Sequence, residues 1–336
     1  MKRSVPLVTA LVAASALALA GCAGTAAPEG TSADGKLQVV TSTNVYGDIV
    51  SAIAGDTVDV TAIISSTSQD PHEYEATAKD QLAVSKAGLL IENGGGYDSF
   101  MDALVEATGT KAPVISAVEF SHDWPGNDGH DHSDDHSDAA TDDPTTEASD
   151  VADDHSGHDH IEGFNEHVWY DPHTIEHVAE KIAEELTVLV PSESATFSQG
   201  LADFTAGIST LEGALDTLSA AHAGEKIFIT EPVPLYLTTA AGLENVTPEA
   251  FSEAVEEGQD VPPATLLEAT RILEAGDVRI LIANSQTGGA ETTQVIELAK
   301  KQGIPVLEFS EIKPQDQTYL QWMEANVALL ADTLNR

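Results

Sequence analysis

The sequence predicts an α/β protein of two lobes of β/α units joined by one long rigid helix. Three observations lead there. Short β-rich runs alternate with helix-period segments in two separate sets, a continuous amphipathic stripe lies between the sets, and 336 residues suffice for two folding units. The first lobe, residues 36–190, carries β-rich runs at 37–41, 58–64, 89–91 and 114–115. In the stretch 191–223, Phe197, Leu201, Phe204, Ile208, Leu211, Leu215 and Leu218 recur at steps of four and three. They share one helix face over about 32 Å. An intermolecular coiled coil is the competing reading of this stripe, but Gly200, Gly207 and Gly213 each weaken an isolated coil by roughly 1 kcal/mol, so packing across both lobes is expected. The second lobe, residues 224–336, repeats the alternation with strands at 227–229, 278–282 and 306–309 and helices near 263–275 and 291–302. Its last helix carries Leu320, Met323, Val327, Leu330 and Leu334 at three- and four-residue spacing.

Before the first lobe, Lys2 and Arg3 precede an apolar run that ends in Leu19-Ala20-Gly21-Cys22. Residues 1–21 read as a signal peptide, with Cys22 where cleavage falls. The pattern resembles a bacterial lipobox, which implies that Cys22 is lipid-modified and that the chain is exported and anchored outside the cytoplasmic membrane. Residues 22–35, rich in small and polar side chains, then form a flexible tether. Because Cys22 is the one cysteine, an intramolecular disulfide and a thiolate metal cluster are both excluded. The 56 acidic and 14 basic side chains give a formal charge of −42. Such a surface repels phosphates, which argues against a nucleic-acid partner and for cations. Residues 122–160 hold seven of the twelve histidines and thirteen acids with no Lys or Arg. This composition predicts a disordered insertion in the first lobe, whose imidazoles and carboxylates capture divalent metal with modest affinity.

More defined candidates lie in the ordered segments. Asp70-Pro71-His72-Glu73-Tyr74-Glu75 follows the run ending at Ile64, so His72 falls in a loop at a strand end, where open α/β sheets bind ligands. Glu166-His167-Val168-Trp169-Tyr170-Asp171-Pro172 places a second histidine just before a helix, with Asp171 as N-cap and Pro172 as its first residue. A rival arrangement, His173-Thr174-Ile175-Glu176-His177, matches the inverted zinc-protease signature, but His173 would lie in a frayed first turn. Hydrolysis is thus the alternative function, and a surface adhesin is a third class. No G-x-S-x-G elbow, P-loop or dinucleotide fingerprint is present.

The ordered series of a lipobox, "DPHEYEAT", a His-rich acidic insertion, "NEHVWYDP", a long helix, "FITEPVPLYLTTAAGL" and "LIANSQTGGAETTQV" resembles the zinc/manganese-binding solute-binding lipoproteins of ABC metal importers. The resemblance implies a non-enzymatic, monomeric protein that captures one divalent ion in the cleft between its lobes and delivers it to a membrane permease. It assigns His72 and His167 as ligands from the first lobe and Glu231 as a ligand from the second. The family's remaining ligand, an acid after the "LIAN" strand, has no counterpart there; Asn284 or Gln286 is left to supply a carbonyl oxygen, with water as the alternative. Two imidazoles and a carboxylate suit zinc. Glu231 in place of the His usual in zinc-type members argues toward manganese, whereas the His-rich insertion favours zinc. Ligands from both lobes would make the ion itself bridge the cleft, and the need for neutral imidazoles would lower affinity below about pH 6.5.

Overall fold

Val, Ile and Thr fill the strands, as expected where a parallel sheet is covered on both faces. The computed structural model describes residues 30–125 apart from 33, residues 127 and 161, and residues 163–336. The signal peptide, Cys22, most of the tether and most of the His-rich insertion lie outside the described residues. In the first lobe β1 (Leu37–Thr43), α1 (Asn44–Ala54), β2 (Val58–Ile64), α2 (Ala78–Val84), β3 (Leu89–Glu92), α3 (Phe100–Thr108) and β4 (Val114–Ser116) follow in order. The four strands form one parallel sheet, β2-β1-β3-β4. Helix α4 (Pro172–Leu189) packs against α1 and opens as anticipated: the Asp171 side chain accepts the His173 N–H and Pro172 occupies the first turn.

After α5 (Ser194–His222) the second lobe comprises β5 (Lys226–Ile229), α6 (Leu235–Ala240), β6 (Glu244–Asn245), α7 (Glu249–Glu256), α8 (Pro263–Glu274), β7 (Val278–Asn284), α9 (Ala290–Gln302), β8 (Val306–Phe309) and α10 (Tyr319–Leu334). Its parallel sheet runs β6-β5-β7-β8, the same strand permutation as the first. In both lobes the connections leaving the C-terminal strand ends are free to form binding loops.

The long helix is covered within one chain. Phe197, Phe204, Ile208, Leu211, Leu215 and Leu218 are buried and Leu201 is half-buried. The apolar cluster they join contains Val39 and Ile91 from the first sheet and Ile229 and Ile282 from the second. No stripe is left over for an intermolecular coil, and burying these large side chains outweighs the helix propensity lost at the glycines. Gly200 has a packing reason: a Cβ there would lie 2.2 Å from the Ile53 carbonyl oxygen at the end of α1. At Gly207 a Cβ would meet the Leu320 side chain of α10.

Described structure also reaches into the two polar segments. Gly30 accepts the Gln38 N–H, and Thr31 forms a bridge with Leu37. Within the predicted insertion, Trp124 packs edge-on against Phe164, and the Asn127 amide donates to Glu119 O and Ser121 O. The described residues thus include 122–125 and Asn127 of the predicted insertion. No helix among the described residues is long and apolar enough to cross a membrane.

Candidate metal centre

Loops at the C-terminal ends of both sheets meet between the lobes. His72 lies in the loop after β2, where its own backbone N–H donates to Asp70 Oδ1 at 2.9 Å and fixes the turn. His167 precedes a single 3₁₀ turn, Val168–Tyr170, that leads into α4. From the second lobe come Glu231, two residues past β5, and Glu311, two residues past β8. His167, Glu231 and Glu311 are buried. Ligand atoms of His72, His167 and Glu311 all lie within 4.8 Å of one another. A second set, His72, Glu166 and Glu256, meets the same limit.

The imidazoles are held by rings and by one directed hydrogen bond. Tyr97 meets His72 edge-on at 4.9 Å between centroids, and Trp169 meets His167 edge-on at 5.1 Å. His167 Nδ1 lies 2.7 Å from Asn165 Oδ1. Because the amide oxygen only accepts, the imidazole proton belongs on Nδ1, which leaves Nε2 as the nitrogen that carries the lone pair. Asn165 is in turn braced by its own amide donation to Pro232 O, 3.2 Å, and by the Tyr236 hydroxyl on its carbonyl, 2.9 Å.

Straps between the lobes tie ligand loops in pairs. The Gln286 amide donates to Gln69 O at 3.0 Å, joining the β7 loop to the loop of His72. Asn165 joins the His167 segment to the residue after Glu231. The Tyr170 hydroxyl donates to Ser310 O at 2.7 Å, beside Glu311. Each donor is therefore positioned relative to a donor on the opposite lobe before any ion binds, which lowers the ordering cost of capture.

The electrostatics call for a cation. Burial first, and then the charge of Glu231, pushes the Glu311 carboxyl up to about 8. Glu256 is pushed up to about 10, again by burial, with Glu166, Glu231 and Glu311 adding repulsion. Glu231 is raised by burial against the hydrogen bonds it accepts from Thr287 and Asn284. Acids crowded in low dielectric cannot all ionise alone, and a divalent ion among them restores the charged forms. Towards solvent the cleft widens into a cavity of about 320 Å³ whose lining includes Asp70, Glu73, Glu256, Glu257, Asp260 and Glu291 and neither Lys nor Arg. Such a funnel raises the local concentration of cations.

The structure brings two of the four anticipated residues into one donor set and leaves the other two outside it. His72 and His167 fall in one donor set, and Glu231 stands beside it. Asn284 was expected to offer a carbonyl oxygen. Its oxygen instead accepts the Gln286 N–H at 3.0 Å, while its NH₂ bridges Glu231 Oε2 at 2.9 Å and Glu311 Oε1 at 2.6 Å. Two buried carboxylates need a donor between them more than the ion needs a neutral oxygen, so the amide turns its nitrogen inward. Gln286 is likewise engaged, its oxygen accepting the Glu311 and Ile312 N–H groups. Glu311 itself was missed. It follows β8, one strand further along the sheet than the loop after "LIAN", and the signal was the sequence Phe309-Ser310-Glu311 immediately beyond a strand.

Paired histidines from one parallel-sheet lobe facing carboxylates from another, with a stiff helix between the lobes, define a cleft-type metal-binding protein. The chain belongs to the family described as zinc-uptake complex component A, periplasmic (ZnuA), which matches residues 39–333. It is 24% identical over 315 residues to the zinc-binding lipoprotein AdcA of Streptococcus pneumoniae R6, covering 90% of this chain and 57% of that protein. The manganese-binding lipoprotein MntA of Halalkalibacterium halodurans is 27% identical over 270 residues, covering 76% of this chain and 78% of the relative. Thus the chain spans little more than half the length of AdcA but over three quarters of MntA. In fold it is similar to the periplasmic zinc-binding protein TroA of Treponema pallidum, with a TM-score of 0.67 at 18% identity, covering 90% of this chain and all of TroA. The laminin-binding protein Lmb of Streptococcus agalactiae aligns with a TM-score of 0.66 at 20% identity over 88% of this chain and 99% of that one. A family defined by zinc uptake is not one of enzymes, so His173-Thr174-Ile175-Glu176-His177 is not a protease centre.

Proposed function

We propose that this chain is an extracytoplasmic solute-binding protein that captures one divalent transition metal between its lobes and delivers it to the permease of an ABC importer. The observation that carries this reading is the convergence of half-buried His72 with buried His167 and Glu311 across the lobe boundary. In the proposed centre the imidazoles and Glu311 hold the ion, Glu231 supplies the next carboxylate, and Asn284 orients the acids. Anchoring through Cys22 to the cell membrane, a monomeric state, and division into lobes at 36–190 and 224–336 belong to the same proposal.

Zinc is the favoured cargo. Two imidazoles with one carboxylate and a fourth donor make a tetrahedral set, and the His-rich insertion supplies more ligands of the same kind. Manganese is the second reading, favoured by Glu231, since a second carboxylate adds the oxygen character that manganese takes. Competition calorimetry with zinc and manganese on a chain lacking residues 128–160 tests both. Tight binding of one zinc that manganese fails to displace supports the first reading, whereas equal or tighter manganese binding selects the second. Loss of all tight binding on deletion would move the site into the insertion and refute the cleft.

A further inference from the structure

Outside the cleft, a separate donor set sits where α4 packs against α5. His173 and Glu176, three residues apart on α4, face Glu212 on α5, with ligand atoms of all three within 4.8 Å of one another. His173 is exposed, while both acids are half-buried. One turn along α4, the His177 ring lies edge-on to His173 at 4.8 Å between centroids. The His173 and His177 rings also line a cavity of about 400 Å³ with Glu119, His122, Asn127 and Glu180. Asn127 and His122 stand where the chain departs into residues 128–160, which hold six further histidines.

We infer that His173, Glu176 and Glu212 form a second, outer binding site for a zinc-like divalent cation, distinct from the cleft. One imidazole and two carboxylates are three ordinary zinc donors, and His177 or water can complete a tetrahedron. Burial first, and then the neighbouring Glu176, raise the Glu212 carboxyl, and His173 offsets them. Lys181, the basic residue lining the adjoining cavity, is engaged by Glu184 at 3.1 Å and Glu185 at 2.8 Å. Glu176 here is a ligand rather than a general base, which gives the inverted-protease match a meaning without hydrolysis. Being half-buried and open to solvent, the site should exchange its ion faster than the cleft. It shares no donor with the cleft, so either reading can fail while the other stands.

Residue-resolved histidine modification tests it on the mature full-length chain. Diethyl pyrocarbonate labelling of His173 is followed by mass spectrometry without zinc, with one equivalent, and with several. Once the first equivalent is bound, further zinc should reduce His173 labelling several-fold, and Glu176→Gln with Glu212→Gln should abolish that protection while leaving the tight equivalent intact. Unchanged His173 labelling at saturating zinc overturns the site. Protection that persists in the double variant also overturns it, because the shielding would then come from the insertion and not from these carboxylates.

Discussion

Replacing Glu311 by Gln removes the negative charge that this side chain brings to a bound ion, with almost no change in volume. Deleting one partner of a buried ionic contact costs about 3–5 kcal/mol. Part of that is recovered, because a carboxyl held at about 8 must lose its proton to bind metal at pH 7, which costs the parent about 1.4 kcal/mol. The net loss is about 2–4 kcal/mol, or roughly 30- to 700-fold in zinc affinity. The variant should also lose part of the pH dependence: parent affinity should climb between pH 7 and 8 as Glu311 yields its proton, and that of Glu311→Gln should climb less. Calorimetric zinc titrations at pH 6, 7 and 8 with a competing chelator read both quantities, and circular dichroism confirms the fold. Parent-like affinity at pH 7, or an unaltered pH slope, would refute a coordinating role for Glu311.

Three further expectations follow from the same geometry. Asn165→Ala removes the acceptor on His167 Nδ1 and should weaken zinc binding about 10- to 100-fold without unfolding the chain; unchanged affinity in the chelator competition would show that the tautomer is set elsewhere. Glu311 binds a proton between pH 4.5 and 8 in the folded chain but not in the unfolded one. Its share of the metal-free stability should therefore fall as pH rises through that window, by up to about 1.4 kcal/mol per unit beside the like contribution of Glu256, and saturating zinc should lessen the slope in denaturant melts; a flat metal-free profile contradicts the shift. Along α5, Gly200→Ala drives a methyl onto the Ile53 carbonyl and should cost about 1–3 kcal/mol, whereas Gly213→Ala meets open space and should gain up to about 1 kcal/mol. Equal thermal shifts for the two would undo the close-approach account.

How far the sequence reveals this molecule depends on the range over which each feature is encoded. The α5 stripe was legible because its periodicity is local, and the two sheets because β/α alternation repeats along the chain. His72 and His167 stood out because one follows a strand and the other precedes a capped helix, whereas Glu231 came only through the family resemblance. Glu311 follows its strand in just the way Glu231 does, but it lies one strand beyond the loop after β7 to which the resemblance points. For Asn284, residue type alone does not reveal which end of an amide faces two carboxylates; that depends on Glu231 and Glu311 converging from different strands. Glu256 sits at the end of α7, a short helix whose two buried side chains, Phe251 and Val255, leave little periodic trace. Nor does a helix-internal glycine announce that the end of another helix presses on it, as Ile53 does on Gly200.

A crystal structure of the zinc-loaded mature chain, phased at the zinc edge, addresses the cleft most directly. A single strong cleft peak bonded at about 2.0–2.2 Å to both imidazoles and to the Glu311 carboxylate is the predicted result. A saturated protein whose zinc lies elsewhere, with His72, His167 and Glu311 left uncoordinated, would contradict it.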